Sequence, residues 1–588
     1  MPRTGIAAGL RGLAWAALLA ALWLALASGA LLWLIDGFRD RHITAWQRPY
    51  QWLVHARAFG DDLGETLCVV VAALAASAPF VLVGRLLLAR GGRLFQRPFA
   101  HRRGITRGSS DNLGRARWLK PGEASRLFPS TPSPDVGGLV VGQLGARDDA
   151  PLLIDRCERG STHSAVIGPP GTNKSSNLAT SLLTWRKGAF VLDPSGELAD
   201  MLGEELELRG QRVVRLDIGG AGPNVLAGVD MRRPGAEGEL RRVASRLVGP
   251  IGEGEGARFK SWGRTIILAL LLDMMANPDL AAEDKTLRTL RAGLDLGEDR
   301  VRSVLRGIAE RSPNESAQSL ARSIWKQADV TFSGAITNAT DDTEWLSSAD
   351  YASLVSGSTY NMRDLCRGDT VVFCQVPQKD LQSTPGVARM IVGRHVDAVM
   401  GAEGAVDGRV LFAIDEAELV GPDPALRAVL NQGRKYKCSL HLLYHSDSQV
   451  ARVWGGPDAR DELYETLAWR SYTGFRSLQS AKNVSEMLGT YGALATSLGA
   501  NQGRSGRLME ARSASDGASS NEHEISRELM KVSELLTDLD DDERITFPAG
   551  RHALRHHSAV GWKRRDTRAL LGVARHRKAD APASVAAE

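Results

Sequence analysis

Lys174 and Ser175 close a Gly/Pro-rich run, Gly168-Pro169-Pro170-Gly171-Thr172-Asn173, and Ser176 follows them. A lysine and a hydroxyl in that setting are suited to phosphate chemistry: the amine reaches β- and γ-phosphates and the hydroxyl ligates Mg2+. The turn must aim backbone N–H groups at phosphate oxygens, and a helix starting there adds partial positive charge. The pattern G-x-x-x-x-G-K-[ST] is met at Gly168, Lys174 and Ser175, with Asn173 in place of the second glycine. That position needs a backbone conformation with positive φ, which Asn tolerates better than most residues. An ordinary Gly/Pro turn shares part of this pattern. A second pair able to do chemistry is Asp415-Glu416, at the end of Val410-Leu411-Phe412-Ala413-Ile414. An acid there can hold magnesium and its neighbour can orient or deprotonate an attacking water.

Both groups need a strand that delivers them to one edge of a sheet. Ala165-Val166-Ile167 leads into the phosphate loop, and apolar positions Leu178, Leu182 and Leu183 predict an amphipathic helix after it. Further short apolar runs are Ala189–Asp193, Arg212–Asp217, Thr370–Val376, Ser439–Tyr444 and Ile545–Phe547. Strands alternating with helical stretches predict an α/β fold with a parallel sheet, whose ligands gather at the strands' carboxyl ends. His445 follows the strand after Asp415 and is placed to sense a γ-phosphate; a loop-facing histidine is the plainer alternative. Lys174 and Asp415 lie far apart in the chain. The region from Val229 to Ser356 accounts for that, since Leu240–Leu247, Trp262–Ala276, Leu287–Leu294 and Ala317–Trp325 have helical spacing. It reads as an all-α insertion between two parts of a nucleotide-binding domain, 141–228 and 357–570.

At 588 residues the chain is too long for one core. A net charge of +5 is too small for its size to argue for nucleic acid by itself, and the five cysteines show no C-x-x-C spacing, which excludes a disulfide framework or zinc site as the organising feature. Leu13–Ile35 is uncharged and, as a helix, would extend about 35 Å, enough to cross a bilayer. Residues 67–88 form a second candidate span, interrupted by Pro79 and ending near Arg85, which can snorkel. A cleaved signal peptide, suggested by Ala25-Leu26-Ala27, would not need the apolar residues that continue to Ile35. Arg90, Arg93, Arg97, Arg102, Arg103 and Arg107 follow the second span, so both termini are expected in the cytoplasm, with 1–12 before the hairpin and 36–66 outside. The stretch 89–140 reads as a basic juxtamembrane segment and linker, and membrane lipid is an expected partner of the chain. A site for anionic lipid or nucleic acid is the alternative reading of the arginine run to plain membrane-proximal charge. Residues 500–523 read as a flexible Ser/Gly/Asn-rich loop, and 571–588 as a disordered tail.

Hairpin, phosphate loop, helical insertion and a strand ending in Asp-Glu form a specific order of parts. It resembles the coupling-protein ATPases of type IV secretion and bacterial conjugation, the TraG/TraD-like family. FVLDPSGEL at 190–198, Phe259-Lys260-Ser261-Trp262, LFAIDEAELVG at 411–421 and GRKYKCSLHLLYHSDSQVARVWG at 433–455 are similar to family segments. The resemblance implies a RecA-like P-loop ATPase domain that uses ATP and Mg2+, and a homohexameric motor in the bacterial inner membrane. It further implies single-stranded DNA with an attached relaxase as cargo and type IV secretion channel components as partners. By the same resemblance Arg434 matches an arginine that reaches a neighbouring subunit's nucleotide. Asn173, Ser195 and His445 stand where the family prefers glycine, lysine and glutamine. Two alternatives stay open: a substrate-recruiting receptor with little or no ATPase activity, and a translocator of effector proteins that handles no DNA.

Overall fold

The computed structural model describes residues 106–108, 111–132, 137–157, 162–421, 423–505 and 513–571, with Leu22, Trp23, Val71, Leu74, Ala75, Ser77 and Ala78 nearer the N-terminus. The chain divides into two compact units, Met1–His101 and Arg102–Glu588. In the first, the seven described residues are helical and the Trp23 indole donates to the Ser77 hydroxyl at 3.1 Å. Among the described residues no helix is long and apolar enough to cross a membrane. The two apolar runs expected to span one fall almost wholly outside those residues, as does the tail beyond 571.

An 11-stranded sheet organises the second unit. Its strands are β1 (Leu139–Gln143), β2 (Leu152–Asp155), β3 (His163–Ile167), β4 (Ala189–Leu192), β5 (Arg212–Leu216), β6 (Thr370–Cys374), β7 (Val410–Ile414), β8 (Cys438–Tyr444), β9 (Leu467–Thr473), β10 (Glu543–Pro548) and β11 (Leu554–His557). They lie in the order β2-β1-β11-β10-β9-β3-β8-β7-β4-β6-β5. From β9 to β5 every pairing is parallel, and from β9 out to β2 every pairing is antiparallel. The parallel strands are covered on both faces, so β3, β4, β6, β7 and β8 are buried along their whole length. Phe190, Phe373 and Phe412 are fully buried at their centre, and truncating any one to alanine should cost about 3–5 kcal/mol.

Between β5 and β6 the chain forms seven α-helices, at Ala236–Val248, Glu255–Ala276, Leu287–Leu294, Glu298–Arg311, Glu315–Trp325, Asp329–Asp342 and Ala349–Ser356. These seven helices, joined by turns, outnumber the four stretches that the apolar spacing picked out. Their core is continuous with that of the sheet. Arg246, on the first of these helices, is buried and ties the two parts together: its guanidinium meets Asp397 at 2.6 Å and Asp423 at 3.2 Å. Losing one partner of such a buried pair strands the other, which costs about 3–5 kcal/mol.

Two stretches differ from the sequence reading. The presumed linker up to residue 140 contains a helix at Pro121–Leu127 and the start of β1, and Leu119, Ala124 and Phe128 are buried. Pro121 opens that helix, where its fixed φ and missing N–H cost nothing. The presumed flexible loop is a long antiparallel ribbon, Thr490–Ser505 paired with Ser513–Glu528, with Thr106–Arg107 added at its edge. Backbone hydrogen bonds hold such a ribbon whatever its side chains, so its small polar residues carry no periodic signal.

Candidate nucleotide site

The parallel strands all deliver their carboxyl ends to one edge, where a cleft of about 460 Å³ opens. Gly168 leaves β3 so close to β9 that an added Cβ would lie 2.5 Å from the Thr473 methyl and 2.6 Å from its carbonyl oxygen, so glycine is required. The loop then turns through Gly171 at φ 81° and Asn173 at φ 58°, ψ 28°. The left-handed conformation expected of Asn173 is thus what it adopts, and it begins the helix Lys174–Thr184. Two contacts from far along the chain hold it: its side-chain amide donates to Asp542 Oδ1 at 2.7 Å, and its carbonyl accepts from Arg544 Nη2 at 2.8 Å.

Lys174 folds back over the loop and donates to the carbonyls of Gly168 at 2.6 Å and Pro169 at 3.0 Å. Burial depresses its amine to about 8, with Asp415 and Glu416 opposing the shift and Arg544 and Arg476 adding to it. Ser175 Oγ donates to Asp415 Oδ2 at 2.7 Å. Burial pushes the Asp415 carboxyl up to about 6, against that hydrogen bond and the charge of Lys174. Glu416 occupies the left-handed region at φ 73°, ψ 58°, a strained place for a glutamate and one typical of functional sites. Its Oε1 meets His445 Nε2 at 2.8 Å, while His445 Nδ1 lies 3.4 Å from Lys174 Nζ. With its proton on Nε2, the ring donates to Glu416 and accepts from Lys174. The Glu416 contact raises the histidine's pKa.

Pro170, Gly171, Thr172, Asn173, Lys174, Ser175, Ser176, Asp415, Glu416 and His445 therefore line one cleft, and Pro169 joins them through Lys174. His445 lines this cleft, beside Glu416 and Lys174. Arg434 does not enter this cleft. It is exposed in the turn before β8, whereas His445 follows β8, and seven strand residues at about 3.3 Å each separate the two by roughly 23 Å. Ser195 reaches the cleft wall with its hydroxyl turned to Asp193 at 3.1 Å, and Asp193 also accepts from the Ala199 N–H at 3.0 Å, fixing the turn after β4. The sequence reading missed Asp542 and Arg544 behind the loop, Gln378 and Glu197 on its far side, and Trp562 on the wall. Only Asp542-Glu543-Arg544, charged residues leading into a strand, was a signal.

A profile of this family, the type IV secretory system conjugative DNA transfer proteins, matches residues 124–583. The chain belongs to that family. Among its relatives are the type IV secretion system-coupling protein VirD4 of Bartonella quintana, 30% identical over 79% of this chain and 75% of its own length. The conjugal transfer protein TraG of Rhizobium radiobacter is 29% identical over 78% of this chain and 74% of its own. The solved structure of the plasmid coupling protein TrwB with ADP and Mg2+ superposes with a TM-score of 0.53, covering 76% of this chain and 94% of that one. At 16% identity that likeness bears on the fold alone. As a coupling ATPase of conjugative DNA transfer, the chain carries its P-loop on a RecA-like, mostly parallel α/β sheet.

Proposed function

We propose that this coupling protein is an ATP-driven inner-membrane motor that recruits single-stranded DNA with its relaxase and moves it into a type IV secretion channel. The observation that carries the nucleotide chemistry is the 2.7 Å bond between Ser175 and Asp415, which joins the P-loop to the Asp-Glu strand end across 240 positions of sequence. Those two hard oxygen donors, at a helix N-terminus beside a buried lysine, fit Mg2+ and a polyphosphate. When bound, the metal neutralises charge on the β- and γ-phosphate oxygens. Ser175 and Asp415 would hold it, Lys174 would turn from the Gly168 and Pro169 carbonyls to the phosphates, and Glu416 would orient and deprotonate water. His445 would report on the γ-phosphate position.

The hairpin of 13–35 and 67–88 anchors the chain in this reading, with both termini and the ATPase domain in the cytoplasm. Arg434, on the opposite edge of the sheet from its own cleft, suits a finger given to a neighbour's nucleotide in a homohexamer, stabilising charge on the transferring phosphoryl group. TrwB was solved in complex with ADP and Mg2+, which supports the same ligands here. A substrate-recruiting receptor with weak turnover is the second reading, favoured by His445 holding Glu416. Lys174→Ala decides the mechanism: ATP turnover and DNA transfer should both fall to background while the protein still inserts and folds. Normal transfer by this variant would sink the motor, and absence of DNA-stimulated turnover in the unaltered protein in detergent would favour the receptor.

A further inference from the structure

The sheet order divides the cleft around the P-loop. Asp415, Glu416 and His445 lie on the side of β7 and β8; beyond them Pro194, Ser195, Glu197 and Gln378 follow β4 and β6. On the other side of β3, toward β9, β10 and β11, the wall is made by Trp562. A nucleotide whose terminal phosphate meets Asp415 must extend its base away from that flank, toward Trp562.

Trp562 is half-buried, and among the described residues its indole has no ring, cation or hydrogen-bond partner. Its backbone is fixed to the P-loop helix. Ala559 N–H donates to Asn177 Oδ1 at 2.9 Å, and Thr180 Oγ1 donates to the Ala559 carbonyl at 2.7 Å. Gly561 passes so near that an added Cβ would lie 2.7 Å from Leu571 and 3.1 Å from Thr180 Oγ1, and Thr567 Oγ1 caps its carbonyl at 2.7 Å. The next residue, Lys563, bonds Asp542 Oδ2 at 2.8 Å, and Asp542 in turn holds Asn173. A large aromatic side chain with no partner of its own thus extends beside the phosphate loop from a backbone fixed on both sides, and Asp542 braces both that segment and the loop.

We infer that Trp562 is the nucleobase platform of this site, stacking on the base of a bound nucleoside di- or triphosphate. The inference rests on the nucleotide reading of the P-loop. Stacking acts on the face of the base, and a ring carried on a fixed backbone gives up only side-chain freedom when it does so. The Trp562 contribution must therefore appear with ligands that carry a base and vanish with those that do not.

The test is calorimetric titration of the full chain in detergent with ADP and, separately, inorganic pyrophosphate, each with Mg2+. Trp562→Ala should weaken ADP binding by about tenfold and leave pyrophosphate within about twofold, while Trp562→Phe keeps ADP within about threefold. Unchanged ADP affinity in Trp562→Ala, or a parallel loss for pyrophosphate, would overturn the platform. ADP binding the unaltered protein no more tightly than pyrophosphate would overturn it too while leaving the P-loop reading intact. If neither ligand bound the unaltered protein, the P-loop reading would fail and the platform with it.

Discussion

On one flank of Lys174 the sheet presents Asp415, Glu416 and His445 from the ends of two adjacent parallel strands, each buried along its length. On the other flank Asn173 is held by Asp542 and Arg544, which belong to the antiparallel extension. The first arrangement follows from parallel order, since neighbouring strands deliver their carboxyl ends together. The second depends on reversal. Because β10 runs opposite to β9, its first residues lie level with the ends of the parallel strands, and Arg544 pairs in register with Thr473. One flank carries groups that act on phosphate, and the other fixes the loop that must present it.

This division gives a ranking of effects. Glu416→Gln keeps the shape of the acting flank and removes its base, so turnover should fall by about 10²–10⁴-fold with nucleotide affinity little changed. Single-turnover hydrolysis beside nucleotide titration measures both. A drop of less than about threefold would mean that the water is activated elsewhere, and the acting flank would lose its defining member.

The same division explains what was legible in the sequence. Val410–Ile414 and Ala189–Leu192 are apolar runs because both faces are covered, and the residues that end them announce their chemistry by type. The antiparallel side carries a weaker pattern: Ile545–Phe547 shows as an apolar run, but charged residues interrupt or flank its strands. β11 reads Leu-Arg-His-His, and β10 contains Arg544, whose guanidinium is fully buried. Burial pushes Arg544 down to about 9, and no sequence rule would put such a group inside a strand. Lys174, Ser175, Asp415 and Glu416 were therefore readable as a site. Asp542 and Arg544 lie 369 and 371 positions from the asparagine they hold, with no motif linking them to it. Arg434 is a different case: its placement was suggested by resemblance, and a single protomer leaves it on the far edge of the sheet.

A smaller effect sharpens the acting flank. The groups facing His445 are Glu416, Lys174 and, beyond Gln449, Glu418. Its pKa is raised, so its protonated form persists above the ordinary histidine range. The stabilisation from its pairing with Glu416 is complete below the unperturbed pKa and is lost as pH rises through the elevated one. Acid places a second proton on Nδ1, facing Lys174, while the ring holds Glu416 more tightly. Turnover should therefore climb several-fold from about pH 6 to about pH 8, and His445→Gln should flatten that climb. A Gln variant with the same profile would take His445 out of the control of Glu416.

The smallest expected effect falls on the bracing flank. Asn173→Gly keeps the left-handed turn and loses only the bond to Asp542, which should cost about 1 kcal/mol. Asn173→Ala loses the same bond and adds about 1–2 kcal/mol of strain at positive φ. Denaturation of the nucleotide-free protein should thus rank native above glycine above alanine, with turnover of the glycine form close to native. Faster turnover in the glycine form would mean that the hold of Asp542 restrains the loop as well as shaping it. Equal stability for all three would mean that the reversed strands merely abut the P-loop, and only the acting flank would then be built for phosphate.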